Sequence, residues 1–332
     1  MAALALLSAC GDAGDDPGAR EPTGEPVTLA FGGDVYFEGV IGSRLAVNPA
    51  TTLGPIAGVL RRADLAVVNL ETAITERGTP APKAVTFRAP PSALAALKEA
   101  GVDMASMANN HGLDFGVVGL RDSLAAAEAA NFPVVGVGRN ADEAYRAHLV
   151  TIKGQRIAVL GATQVLDSNL AAAWTAGDGK PGMASAYEES RLLAAVRAAR
   201  QSADTVVVDL HWGQELVNCP IDRQRALAPK LVAAGADVVV GSSAHVLLGG
   251  GYLRGAYVDY GLGNFVFYSG GGPTAQSGVL LLTLRGRAVT ASRWVPARIS
   301  NGIPIPLQGT PATQAITSWQ SLRPCTGLSA KP

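Results

Sequence analysis

From Val27 onward, short and nearly continuous apolar runs alternate with longer segments in which alanine and leucine recur at helical spacing. The runs VTLAFGGD (27–34), ADLAVVNLE (63–71), GVDMASMANN (101–110), PVVGVG (133–138) and RIAVLGA (156–162) predict buried strands. DTVVVDLHWG (204–213), ADVVVGSSAH (236–245) and GAYVDYGLGNFVF (255–267) continue the series. Between them PSALAALKEA, GLRDSLAAAEAA, EESRLLAAVRAARQS and DRQRALAPKLVAAG predict helices. Strands without polar alternation, interleaved with helices, imply an α/β core whose sheets are covered on both faces. SGVLLLTLRGRAVTASRWVPAR departs from this pattern and reads as two antiparallel strands around an Arg-Gly-Arg turn. No shift in composition divides the chain after residue 27. One large domain is expected over 27–300, with a tail over 301–332.

Composition narrows the function. With 48% apolar and only 16% charged residues, the chain can build a packed core. The 27 basic residues are matched by 27 acidic ones, so nothing favours a phosphate backbone and no nucleic-acid partner is expected. The first ten residues, MAALALLSAC, are an apolar run ending in Leu-Ser-Ala-Cys, the pattern of a bacterial lipoprotein processing site. The run is too short to span a bilayer and no basic stretch precedes it, as expected if a leader lies upstream. The polar, Gly/Pro-rich segment 11–26 reads as a flexible tether. Together they predict an extracytoplasmic domain, anchored to the cell membrane by lipid at Cys10. In that compartment Cys219 and Cys325 could be bridged, fastening the tail; two unrelated free thiols fit the sequence as well.

The chemistry collects where the predicted strands end. Reading those ends in order gives Asp34, Asn69 with Glu71, Asn110 with His111 and Asp114, His211 with Glu215, His245, and Asn264. In open α/β sheets this is where functional groups gather. Carboxylate, carboxamide and imidazole together form the ligand set of Mn²⁺, Zn²⁺ or Fe centres, one or two ions in number. Taken singly, each has a plain structural reading: Asp34 as a turn cap, Asn109 and Asn110 as partners of loop backbone, a histidine as a hydrogen-bonded core residue. The coincidence tells against those readings, because three of the four histidines sit at predicted strand ends. The fourth, His148, is read as structural.

Six segments, FGGDVYFEG, ADLAVVNLETAIT, MANNHGLDFG, LHWGQE, GADVVVGSSAHVLLGG and YGLGNFVF, fall in the order seen in CapA-type capsule-synthesis proteins. The chain resembles that family, associated with poly-γ-glutamate, over residues 27 to about 270. The resemblance implies the four-layer αββα sandwich of calcineurin-like metallophosphoesterases. It implies metal ligation by Asp34, Glu71, Asn110, His211 and His245, with Glu71 shared between two ions. His111 resembles the histidine that protonates a leaving group, oriented by Asp114. Glu215 and Asn264 fit the pattern at the rim or just behind the ligands. Two positions depart from the pattern. Ser243 stands where the family usually carries a further histidine, and Tyr36 where the wider phosphoesterase group does.

Three functions follow as expectations. The first is an envelope-anchored, metal-dependent hydrolase, phosphoesterase-like, that acts in making, releasing or trimming an anionic polymer or cuts a phosphoester. The second is a non-catalytic polymer-binding protein or an accessory of capsule-export machinery, with an eroded metal site. The third, a solute-binding lipoprotein, calls for two lobes joined by a hinge and leaves the polar strand ends unexplained.

Overall fold

Along the strand Val27–Val35, Leu29 and Phe31 point to one side and Ala30 to the other, and all three are inaccessible to solvent. The same split recurs at Val67 against Ala66 and Val68, at Val159 against Ala158 and Leu160, and at Val207 against Val206 and Val208. A strand buried on both faces needs a layer packed on each. One set of faces meets in a shared core between two sheets, and the other sets form two outer cores under helices. The computed structural model, which describes residues 23–332, is therefore a four-layer αββα sandwich, as the resemblance implied. Cys10, the run before it and residues 11–22 lie outside the described residues. Among the described residues, no helix is long and apolar enough to cross a membrane.

The first sheet has eight strands, ordered Ile303–Pro306, Ala288–Ser300, Gln276–Arg285, Val27–Val35, Leu65–Leu70, Met104–Ser106 and Val134–Val135, with Asn264–Val266 also paired to Val27–Val35. Its middle is parallel, and the strands Gln276–Arg285 and Ala288–Ser300 are antiparallel around Gly286, as expected. The second sheet runs Gly250–Leu253, Ala256–Asp259, Val238–Ser242, Thr205–His211, Gln155–Thr163 and His148–Ile152. Helices Ser92–Glu99 and Gly116–Ala129 carry part of one outer core; Glu189–Ser202 and Asp222–Ala234 cover the other.

Two apolar runs that read as single strands are broken. GAYVDYGLGNFVF puts Ala256–Asp259 in the second sheet and Asn264–Val266 in the first, crossing between them at Tyr260–Gly263. The crossing needs glycine on both sides. A Cβ on Gly33 would lie 1.8 Å from the Gly263 carbonyl oxygen, and Gly263 itself holds φ +63°. PVVGVG breaks at Gly136, whose φ of +82° turns Val137–Gly138 away to pair with Gly182–Met183.

Residues 301–332 add the edge strand Ile303–Pro306 and the helix Gly309–Gln320, whose Trp319 stacks on Trp294 at 5.3 Å. Cys219 and Cys325 are bonded, with their Cα atoms 5.7 Å apart, so the end of the chain is tied to the loop that follows His211. The bridge spans 106 residues. Cys325→Ser is expected to lower stability by about 2–5 kcal/mol, read as a fall in denaturation midpoint that reductant reproduces in the parent. An unchanged midpoint would show that the tail is held by packing alone.

Candidate metal centre

Parallel neighbours in register deliver the side chains together. Asp34 pairs with Asn69 across the first sheet and with Asn264 on its other side, and His211 stands beside Ser242 in the second sheet. The strand ends of the two sheets face each other here. Asp34, Glu71 and His245 offer ligand atoms within 4.8 Å of one another, with the two carboxylates fully buried. His245 Nδ1 lies 3.4 Å from Asp34 Oδ2 and 2.8 Å from Asn264 Oδ1. On the other side of Glu71, His211 Nε2 is 3.7 Å from Glu71 Oε1 and 2.8 Å from Asn110 Oδ1. Glu71 thus stands between Asp34 and His245 on one side and His211 with Asn110 on the other.

Glu71 decides what the place is suited for. Both of its carboxylate oxygens are buried and neither has a hydrogen-bond partner. Its burial, and next the charge of Asp34, hold the carboxyl well above the ordinary glutamate range, against the pull of His245 and Lys83. Burial works to lower His245, yet its bond to Asp34 and the charges of Glu71 and Asp34 lift it to about 10. Burial also opposes ionisation of Asp34, but His245, His211 and Asn69 together hold its carboxyl below its usual value. Burial drives His211 down to about 3, leaving a neutral imidazole. A proton on His245 therefore holds the charge balance that a cation between these groups would hold instead. An orphaned buried carboxylate ringed by imidazole and carboxamide fits a divalent ion.

Around this core the polar groups are committed. Asn69 Nδ2 donates to Asp34 Oδ1 at 2.8 Å and also faces His211 Nδ1 at 3.1 Å. Asn109 donates to Asn69 Oδ1 and to the Leu70 carbonyl, while its own Oδ1 accepts from the His111 amide. His111 Nδ1 lies 2.5 Å from Asp114 Oδ2, its ring stacks on Phe87, and Nε2 faces Glu71 Oε1 at 3.9 Å. Glu215 is exposed at the rim, and His148 lies on an edge strand far from the strand ends.

The two departures from the family pattern have distinct consequences. The backbone amide of Ser243, at φ +99°, points to Asp34 Oδ2 at 3.3 Å, so the serine contributes a main-chain donor. Tyr36 is buried in an aromatic cluster with Phe87 and Phe267, at 5.1 and 4.3 Å between ring centres. It forms a wall between His111 and His245, since Phe87 stacks on one and Phe267 leans on the other.

Sequence reading missed Lys83, Phe87 and Phe267. Lys83 Nζ lies 3.0 Å from Asp114 Oδ1, donates to the Asn110 carbonyl, and sits over the Trp174 ring. Its loop also supplies the Phe87 amide to Asp114 Oδ2 and the Ala81 amide to the Asp114 carbonyl. No motif marks a lysine in a Pro-rich loop, and its partners are distant in sequence.

Residues 28–269 match the family described as Bacterial capsule synthesis protein PGA_cap. The chain belongs to that family. It is 35% identical over 230 residues to the capsule biosynthesis protein CapA of Bacillus anthracis, covering 68% of this chain and 55% of that one. It is 30% identical over 301 residues to the PGA biosynthesis protein CapA of Bacillus subtilis, covering 89% of this chain and 77% of that one. A relative in Mycobacterium tuberculosis, 32% identical over 210 residues, is described as a probable polyglutamine synthesis accessory protein; the match covers 61% of this chain and 55% of that protein. Thus the chain spans little more than half the length of two of these relatives. Among solved structures, it is similar to a novel phosphatase from Mycoplasma pneumoniae, with a TM-score of 0.52 and 14% identity over 83% of this chain and 95% of that one. A hypothetical protein from Thermus thermophilus gives 0.51 and 17% over 82% of this chain and all of that one. The PGA_cap chain therefore shares its fold with a solved phosphatase, and its family is one of bacterial capsule synthesis.

Two outcomes test this geometry. Lys83→Met leaves Asp114 Oδ1 buried without its cation and is expected to cost about 3–5 kcal/mol, with Lys83→Arg recovering part of the loss in denaturation experiments. In metal-free protein the raised Glu71 carboxyl gives stability that is complete below the ordinary glutamate range and is lost as pH rises through its folded value. Glu71→Gln is therefore expected to be at least as stable as the parent in chelator above neutral pH. It should also lose the rise in Tm that Mn²⁺ or Zn²⁺ gives the parent. A full metal-induced rise in that variant would put the cation elsewhere.

Proposed function

We propose that this PGA_cap chain is a metal-dependent hydrolase of the cell envelope that cuts or trims an anionic polymer of the poly-γ-glutamate type, with a phosphoester as the other candidate substrate. The observation that carries this reading is the unpartnered, fully buried carboxylate of Glu71 between two sets of ligand-type side chains. Asp34 and His245 would hold a cation on one side of it, Asn110 and His211 on the other. A divalent ion bound there, Mn, Fe or Zn by its donor set, supplies a Lewis acid and a water of lowered pKa.

The protein's own part in the reaction centres on His111. Its Nδ1 is fixed by Asp114, which holds the ring in one orientation and offsets part of the burial that keeps this imidazole below its ordinary pKa. Nε2 is thereby left facing the cleft, where it can pass a proton to a departing oxygen or nitrogen. Lys83 neutralises the far oxygen of Asp114 and holds the Asn110 carbonyl, so the amide ligand and the histidine keep a fixed spacing. The aromatic wall of Tyr36, Phe87 and Phe267 backs both His111 and His245 and limits water around them. Anchoring by lipid at Cys10 and association with capsule-export machinery belong to the same proposal, supported by the Leu-Ser-Ala-Cys sequence and by the capsule role of the relatives.

One observation favours a second reading. Tyr36 and Ser243 give no side-chain ligand, and the mycobacterial relative is described as an accessory protein, so the cleft could bind polymer without cutting it. Purified protein assayed with Mn²⁺ or Zn²⁺ on poly-γ-glutamate and on a chromogenic phosphodiester separates the two. On the hydrolase reading His111→Ala lowers kcat by about 100-fold or more and keeps its metal, whereas His211→Ala loses both. Saturable polymer binding without turnover under any metal would make the accessory role the correct one.

A further inference from the structure

The helix Gly309–Gln320 packs on the antiparallel part of the first sheet, where Trp319 and Trp294 join the core between the sheets. Beside it lies an open cavity of about 350 Å³, large enough for a small-molecule site. Its apolar lining comes from Trp294, Leu307, Pro311 and Ala315. Around it stand the exposed side chains of Gln276, Arg298, Gln314 and Ser318. None of these four makes a side-chain hydrogen bond or ion pair among the described residues.

The cavity lies toward the end of the first sheet that carries the metal centre. Phe31 pairs with Leu280 in antiparallel register, so Gln276 and its partner Arg298 stand at the same end of the sheet as Asp34. Leu247, two residues beyond His245, forms one wall. Ser277, also in the lining, donates its hydroxyl to the Asn264 carbonyl at 2.7 Å, and the Asn264 side chain meets His245 at 2.8 Å.

We propose that this cavity is a subsite for one carboxylate-bearing unit of a polyamide chain, placed while a neighbouring unit lies at Glu71. The proposal rests on the polymer reading given above. An uncommitted guanidinium takes a carboxylate through two parallel hydrogen bonds. Two carboxamides can each donate to and accept from a backbone amide. The apolar lining suits the methylenes between them. A free phosphate would use the arginine and leave the carboxamides and the apolar lining without a role.

The test is calorimetric binding of poly-γ-glutamate oligomers to the metal-loaded full chain, with turnover recorded separately. Arg298→Glu is expected to raise the Kd at least tenfold, while its metal content and unfolding temperature match the parent. Arg197→Glu, an equal charge change on the exposed face of the outer helix Glu189–Ser202, is expected to bind as the parent does. Parent-like binding by Arg298→Glu, equal losses in both variants, or no binding by the parent would overturn the subsite. Arg298-dependent binding without any turnover would remove the hydrolase reading and leave the subsite standing.

Discussion

Everything at the strand ends is organised around one electrostatic demand: the carboxylate of Glu71 is inside the protein and nothing in the chain satisfies it. Leaving an ionised carboxylate in such a place costs several kcal/mol unless it takes a proton or meets a cation. Most of its neighbours are spoken for. Asn69, Asn109 and Asp114 are bonded to one another or to backbone, and none of those bonds turns toward Glu71. The groups that do face it are the imidazoles of His111 and His211 and, within 4.8 Å, Asp34 and His245, with the Asn110 carboxamide one hydrogen bond further on, at His211. An orphaned carboxylate beside imidazole nitrogens and a second carboxylate is a set that a divalent ion would satisfy.

The sandwich makes this arrangement affordable. Each ligand-type residue sits on or a few residues after a strand that is almost wholly buried, so its backbone is held by sheet hydrogen bonds and by cores on both faces. The sheets are tied together at this end by the crossing through Gly263, which lets Asn264 reach His245. On the opposite flank the loop bearing Lys83 and Phe87 wraps Asp114 and stacks against His111. Beyond His211, the loop to Cys219 is tied to the C-terminal segment by the disulfide.

Much of this was legible in the chain itself. The strand ends that carry Asp34, Glu71, Asn110, His211 and His245 were visible because buried strands leave a long apolar signature and the polar residue that ends it stands out. The joining of two such ends across the molecule is not a local property, and here the ordered motifs supplied it. What local pattern could not show was where an apolar run changes sheets: 255–267 reads as one strand because the break is encoded by close approach at Gly33 and Gly263. Lys83 was invisible for a similar reason. Its partners are Asn110, Asp114 and Trp174, and nothing in a Pro-rich loop announces them. The substitutions at Tyr36 and Ser243 were legible as absences; only the structure shows an aromatic wall in one place and a backbone donor in the other.

The most direct measurement is anomalous diffraction, above the manganese or zinc absorption edge, from crystals of the chain grown with that ion. The account places a strong peak at ordinary coordination distance from a Glu71 carboxylate oxygen, with Asp34 and His245 completing the contact on one side. An empty map there, with Glu71 hydrogen-bonded to water as a neutral acid, would contradict it.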